Sequence, residues 1–529
     1  RLIRYSFGGE IMKSVLMAVT GLALFFSTDV LNGAENPIHG GRLIFGIRSD
    51  IGSLNPFLRT SSTNYYVRGL AYEALLDFDK TGKLAPSLAQ SWTVSPDGKS
   101  YTFKLRPGVK FHNGKELSAD DVKWSADYAI DPKNAASGFT ILKHLQAVNV
   151  KDSLTVEFVI KQPMGAFLNL LATVRAFPVI PKESLPEGTA KALSPPPGTG
   201  PFIFKEHKPA REMVFARNKN YWQKGLPYLD ELVLKPVVED QVRFISVRTG
   251  DLDMIERTPY VAIRKLLAGG SPDLKMTEVK YAGYRRMLFN VADPPFNNLK
   301  LRQAVLYALD KKKYIEGAFW GFGEPVDQVF PRESPWRVKL PEIKPDPAKA
   351  KALLKDAGLG PDLEVELTGL KSEEEELQVI QQQLIGAGIK AKVLVLDRGA
   401  RGSREGRGDF MMVLSGSDIP NDPEEEYPSE FGCAEEEVKA KNRTENSSGY
   451  CNPEVDRLLE EASKTMDQKK RYEVFARVTR ILHEEIPGIP LAFVPRFFTY
   501  HKKVRGFETD FDGRFNMTTA GFSRVWIAR

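Results

Sequence analysis

Residues 84–114 read Leu-Ala-Pro-Ser-Leu-Ala-Gln-Ser-Trp-Thr-Val-Ser-Pro-Asp-Gly-Lys-Ser-Tyr-Thr-Phe-Lys-Leu-Arg-Pro-Gly-Val-Lys-Phe-His-Asn-Gly. Within this stretch Ser100-Tyr-Thr-Phe-Lys-Leu-Arg106 alternates apolar and polar side chains with a period of two, as a strand with one buried face does. Leu154-Thr-Val-Glu-Phe-Val-Ile160 repeats the pattern, and Arg42-Leu-Ile-Phe-Gly-Ile-Arg48 is a compact apolar strand. Helical segments alternate with these strands. Ser118 and Asp121 form a capping-box-like start for 119–129. Asp346-Pro347 and Asn452-Pro453 each place an N-cap before a proline at the first helical position, and Gly358 ends the first of these helices. Asp467 is expected to cap a long helix carrying the stripe Tyr472, Phe475, Val478 and Leu482. Strands alternating with helices predict an α/β architecture.

Composition narrows the function classes. The chain has 529 residues, 42% hydrophobic and 27% charged, which is a globular balance. Lys and Arg number 74 against 68 Asp and Glu, a net charge of +6. That excess is too dilute for a nucleic-acid binder, which needs a clustered basic face. Two cysteines exclude a disulfide scaffold or an iron–sulfur protein, and the six histidines include no HxxxH pair. Asp97-Gly-Lys-Ser100 resembles the end of a phosphate loop, but the glycine required upstream is Thr93. Gly321-Phe-Gly323 does not continue into GxGxxG, and no GxSxG nucleophile elbow is present. No catalytic residue, metal site or cofactor is expected.

The amino terminus reads as an export signal. Arg1, Arg4 and Lys13 precede the apolar run Val15–Phe26, and the small residues Asn32-Gly33-Ala34 follow. A basic start, a short apolar core and a small-residue exit describe a secretory signal peptide over 1–34. The apolar run is too short to cross a bilayer, which needs about 20 residues. Met12-Lys13 reads as an alternative start, leaving 1–11 as an overextension. No cysteine lies near the cleavage region, so no lipid anchor is expected. In an oxidising compartment Cys433 and Cys451 can close a short loop, stabilising by roughly 3 kcal/mol.

Several stretches, taken in order, resemble bacterial extracellular solute-binding proteins of family 5, the dipeptide- and oligopeptide-binding type that serve ABC importers. They are residues 84–114 continuing into Leu117-Ser-Ala-Asp-Asp-Val122; Gly198-Thr-Gly-Pro-Phe202 with Arg217-Asn-Lys-Asn-Tyr-Trp222; Gly250-Asp-Leu-Asp253; and Phe289-Asn-Val, Pro294-Pro-Phe-Asn297 and Arg302-Gln-Ala-Val-Leu-Tyr-Ala-Leu-Asp310. The helix of Asp346–Gly358 fits too. The resemblance implies a two-lobed periplasmic-binding-protein fold with hinged lobes and an extra domain inserted in lobe I. Mapped here, lobe I comprises 35–80, 198–290 and 495–529, the inserted domain 81–197 and lobe II 291–494. Proline-rich breaks at Ser194-Pro-Pro-Pro-Gly198 and Asp293-Pro294-Pro295 fall near these joins.

The same resemblance implies capture of a small solute between closing lobes and its delivery to a membrane ABC permease in the periplasm, by a monomer and without chemistry. Asp418, in Gly416-Ser-Asp-Ile-Pro-Asn-Asp-Pro423, occupies the position of the aspartate that pairs with a peptide's α-ammonium in relatives. Ser415-Gly-Ser417 stands where relatives commonly carry an aromatic residue, and one extra residue precedes Asp422-Pro423. Lys371 lies where dipeptide binders place a carboxylate-binding arginine. Tyr284 and Arg285, near the expected passage between lobes, Tyr65 and Tyr66, and Trp320 are further cleft candidates. Peptide, opine, oligosaccharide and metal complex all stay open as ligands. The alternative reading is a secreted chaperone-like or receptor module that uses the same lobes for a protein partner.

Overall fold

Strand pairing divides the chain around three sheets of four or more strands, with two further two-stranded pairs. The computed structural model describes residues 36–528 apart from 59–62, 80–81, 135, 137–141, 143, 173–176, 186–193, 360–362, 444–445 and 510–520. The expected signal peptide therefore lies outside the described residues. Among those described, no helix is long and apolar enough to cross a membrane.

The first sheet has seven strands in the order Leu274–Val279, Arg496–His501, Met254–Ile255, Arg42–Ile47, Glu231–Pro236, Glu212–Arg217 and Phe202–Lys208. Arg42–Ile47 runs parallel to both neighbours, and the other pairings are antiparallel. Its core is aromatic: Phe45, Phe202, Phe215, Phe498 and Phe522 are fully buried. Between Arg42–Ile47 and Phe202–Lys208 the chain builds a separate antiparallel sheet, Ala89–Val94, Ser100–Leu105, Thr155–Ile160 and Leu145–Asp152. The period-two alternation puts Tyr101, Phe103 and Leu105 on its buried face with Val156, Phe158 and Ile160. Helix Ala119–Ile130, opened by the Ser118–Asp121 capping box, covers that face.

The second large sheet has six strands, Glu324–Pro325, Gly488–Phe493, Tyr284–Phe289, Met412–Ser417, Glu364–Leu370 and Lys390–Leu396. It is buried on both faces, as helix-covered sheets are. Along Tyr284–Phe289 the side chains alternate accordingly. Met287 and Phe289 join the core formed with helices Leu299–Ala308 and Glu374–Gly386, while Tyr284 joins the core formed with helices Pro453–Lys464 and Gln468–Glu485. The helix starts read from sequence are all present: Asp346, Asn452 and Asp467 each accept from backbone amides of the first turn.

The expected lobe I segment 198–290 ends inside this second sheet. Tyr284–Phe289 pairs with Met412–Ser417 and Gly488–Phe493, so the passage between the sheets falls at 280–283. The proline pair 294–295 marks the start of a helix-bearing segment instead of the join.

Gly198-Thr-Gly-Pro-Phe202 returns the chain to the first sheet across the end of helix Thr63–Ala71. A Cβ at Gly198 would lie 1.8 Å from the Ala71 carbonyl oxygen, and Gly200 donates its N–H to that same oxygen at 3.0 Å. Only glycine permits this approach. Cys433 and Cys451 are joined by a disulfide.

Candidate functional site

Two short passages connect the large sheets, and they run side by side. Val279 pairs with Arg496 in the first sheet and Tyr284 with Phe493 in the second. Between them Val494 donates its N–H to the Gly283 carbonyl at 3.0 Å. The result is a two-stranded ribbon joining two sheet-centred lobes. Parallel α/β sheets bind ligands at the carboxyl ends of their strands. Such ends are gathered around the ribbon on both lobes.

On the first lobe, Arg48 follows Arg42–Ile47, Glu256 and Arg257 follow Met254–Ile255, and Arg496 opens the last long strand. Glu256 is buried, at 1% exposure. It accepts the Arg48 backbone N–H at 2.8 Å and the Tyr66 hydroxyl at 2.6 Å. Burial opposes its charge most strongly, but Arg257, the Tyr66 and Arg48 N–H hydrogen bonds and Arg496 together hold the carboxyl below its ordinary value. Burial and the Glu256 carboxylate together raise the Tyr66 phenol well above its usual range.

Arg257 has φ 50°, a left-handed conformation that costs a non-glycine residue about 1–2 kcal/mol. Its surroundings enforce it. The fully buried Arg243 donates Nε to the Glu256 carbonyl at 3.1 Å and Nη2 to the Arg257 carbonyl at 3.3 Å. Thr258 donates its N–H to the Phe497 carbonyl at 3.0 Å, which sets Arg257 beside Arg496.

On the second lobe, Asp418 directly follows Met412–Ser417, whose Ser417 pairs with Tyr284. Asp418 is half-buried. Arg285 turns to the helix side of the sheet and donates Nε and Nη2 to Glu376 at 2.7 and 2.8 Å, with Glu373 at 3.0 Å. Tyr314 also donates to Glu376, and Arg401 lies 3.3 Å from Glu373. Tyr284 and Arg286 turn to the other side, where both donate to Glu426.

The sequence-derived candidates therefore separate. Tyr284, Arg285 and Asp418 are brought to one end of the second sheet, and Tyr66 to the ribbon end of the first. Arg285, one of the expected cleft candidates, is engaged by two carboxylates, Glu373 and Glu376. Trp320 is the left-handed C-cap of helix Lys311–Phe319 and is 44% exposed, with the Arg264 guanidinium 5.8 Å from its ring. Lys371 is exposed and paired with Glu374. The Tyr65 side chain lies outside the described residues. Sequence reasoning missed Glu256, Arg257 and Arg496, and it read Arg48 only as the end of a strand. A charged residue at the carboxyl end of an apolar strand was the available signal for Arg48.

A cavity of about 860 Å3 also opens in the second lobe, lined in part by Arg286, Lys311, Asp327, Glu426 and His483. Every residue lining it falls between Tyr284 and Phe493, so no residue of the first lobe contributes to it. It is not a space between lobes.

Two sheet-centred lobes, a paired-strand connection and charged strand ends gathered around it define a two-lobed binding protein. The chain belongs to the bacterial extracellular solute-binding proteins, family 5, whose middle-region model matches residues 83–436. It is 30% identical over 491 residues to the glutathione-binding protein GsiB of Pectobacterium atrosepticum, covering 90% of this chain and 93% of that one. The fold is similar to the periplasmic binding protein DppA of Helicobacter pylori in complex with the peptide STSA (TM-score 0.79, 26% identity, 93% of this chain and 99% of that one). It is equally similar to AgaA of A. tumefacien R10 in complex with agropinic acid (TM-score 0.79, 26% identity, 92% and 99%). The chain is thus a substrate-binding component of an ABC importer, of a family that acts in the periplasm.

Proposed function

We propose that this chain captures a small amine-bearing solute, of peptide or opine type, between its lobes and hands it unaltered to a membrane ABC permease. Asp418 is the residue assigned to the ligand's ammonium. The observation that carries this is its position: it follows the strand end that pairs with Tyr284, where the ribbon enters the second lobe. A solute held there and on the first lobe favours the closed arrangement by the difference in its affinity for closed and open forms. The relatives are consistent in ligand size and polarity, one named for glutathione and two solved with a tetrapeptide and an opine. Residues 1–34 are assigned as the export signal, and the mature chain is assigned as a monomer without catalytic activity.

The test is a thermal-shift screen of the mature chain against di- to tetrapeptides, glutathione, opines, oligosaccharides and nickel–histidine complexes, since binding stabilises by RT ln(1 + [L]/Kd). A hit is expected to compact the protein in solution scattering and to be recovered unchanged. Asp418→Ala is expected to weaken an amine-bearing hit by about 10- to 150-fold, the worth of a charge-assisted hydrogen bond. Unchanged affinity removes Asp418 from the site. A response to a protein partner alone favours the receptor reading.

A further inference from the structure

Two guanidinium groups at the ribbon end of the first lobe, those of Arg257 and Arg496, stand without a hydrogen-bonded or ion-paired protein partner among the described residues. They lie near the Glu256 carboxylate, with Arg48 also close by, and that carboxylate is already occupied by the Arg48 backbone N–H and the Tyr66 hydroxyl. The Nε of Arg257 is buried with no hydrogen-bond partner. Among the described residues, neither the Arg257 nor the Arg496 guanidinium has a hydrogen bond or an ion pair. The cations also act on one another: burial first, then Arg496 and Arg48, lower Arg257 to about 9. A buried donor without a partner is costly, and the Arg257 Nε is held that way in a left-handed backbone fixed by Arg243, which points to a ligand.

The group faces the second lobe. Tyr260, which donates to the Pro495 carbonyl in the ribbon at 2.9 Å, lies in the electrostatic reach of Arg257 and Arg496 on one lobe and of Arg285 and Glu376 on the other. Glu376 cannot serve as the missing anion, because Arg285 and Tyr314 already occupy it. Paired guanidinium forks match the geometry of a carboxylate or another oxyanion.

We propose that Arg257 and Arg496, with Arg48 beside them, form an anion subsite on the first lobe that takes a carboxylate of the captured solute. This rests on the solute-capture reading above and narrows it: the ligand is a zwitterion or an amine-bearing anion, with its ammonium on Asp418 in one lobe and its carboxylate on the arginines in the other. A solute carrying both charges bridges the lobes when each end meets its own group. Neutral oligosaccharides and purely cationic solutes are disfavoured.

The test uses the mature chain with inorganic sulfate as probe, together with the variants R257Q/R496Q and R257K/R496K. Sulfate is expected to raise the melting temperature of the wild type by several degrees and that of R257Q/R496Q by less than one, with R257K/R496K between them because it keeps the charge and loses the fork. Without sulfate, R257Q/R496Q is expected to melt at or above the wild-type temperature, since like-charge repulsion is relieved. Arginines that serve only to support the fold would give the reverse. Mass spectrometry of the solute released from purified wild type is expected to show at least one carboxylate. The proposal is overturned if sulfate stabilises wild type and R257Q/R496Q equally, or if the released solute has no anionic group. A neutral solute that compacts both proteins alike removes the subsite and leaves solute capture standing; a panel in which no solute compacts the wild type removes capture itself.

Discussion

Asp422 accepts both terminal guanidinium nitrogens of Arg471, each at 2.6 Å, with the aspartate fully buried. The pair joins more than its own lobe. Asn169, from helix Phe167–Leu171 of the inserted segment, donates to the same carboxylate at 3.3 Å, and Gly165 donates its N–H to the Ser463 carbonyl at 3.3 Å. Arg471 also lies 5.2 Å from the rings of Trp336 and Phe475. Removing one member of such a pair strands the other charge in a dry site, at a cost of about 3–5 kcal/mol. Asp422→Ala is expected to lose that much in denaturant unfolding. The double variant D422L/R471M is expected to lose less than the two single changes added together. Additive losses would mean that the two residues act independently.

Gly198 is expected to tolerate no side chain. Its added Cβ would overlap the Ala71 carbonyl oxygen at 1.8 Å, with the Ala71 carbonyl carbon and the buried Tyr72 ring each at 2.8 Å, so backbone would have to move. Gly198→Ala should cost at least about 3 kcal/mol or abolish soluble expression. Gly108 is the control: its φ is +71° but nothing lies within 4 Å of an added Cβ. Gly108→Ala should cost only the conformational penalty of about 1–2 kcal/mol. Equal melting temperatures for the two variants would contradict the packing argument.

Stability should fall as pH rises from about 5 to 8, with Glu73 a main contributor. Burial pushes its carboxyl up to about 7, against hydrogen bonds from Tyr221 and Trp222 and the charge of Arg106. A folded-state value above the unfolded one means that the native protein binds the proton more tightly. That stabilisation is fully present below the unfolded value near 4.5 and is lost as pH rises through 7. The shift corresponds to about 3 kcal/mol. Glu73→Gln removes the titration, so its stability profile between pH 5 and 8 should be flatter than that of the wild type. A parallel profile would assign the pH dependence elsewhere.

Arg285→Met is expected to act on folding more than on ligand affinity. It leaves Glu376 and Glu373, both nearly buried, without their shared cation. A loss of about 3 kcal/mol in unfolding is expected. A solute identified by the screen should bind the folded variant within a few-fold of wild type in calorimetry; a large affinity loss at preserved stability would put Arg285 in the site after all.

Local pattern carried much of the architecture. The alternation at Ser100–Leu105 and the caps at Asp346, Asn452 and Asp467 each involve residues a few positions apart, so the determining interactions lie within one segment of chain. The motif Arg217-Asn-Lys-Asn-Tyr-Trp222 supported the family resemblance, yet its contribution is scaffolding: Tyr221 and Trp222 donate to the buried Glu73, and Arg106 stands 4.3 Å over the Trp222 ring. Asp418 could be picked out by resemblance because its surrounding segment is continuous. Arg257 and Arg496 could not, since positions separated by hundreds of residues carry no shared local signature.

From the linear chain one could read the alternation of strands and helices, the family and the transport class, because these depend on periodicity, caps and ordered motifs that adjacent residues supply. Folding settled where the passage between lobes falls, which carboxylates occupy Arg285, and which arginines meet at the ribbon end of the first lobe. Those outcomes depend on strand register and burial, which bring remote residues together and decide which charges find one another before any solute arrives.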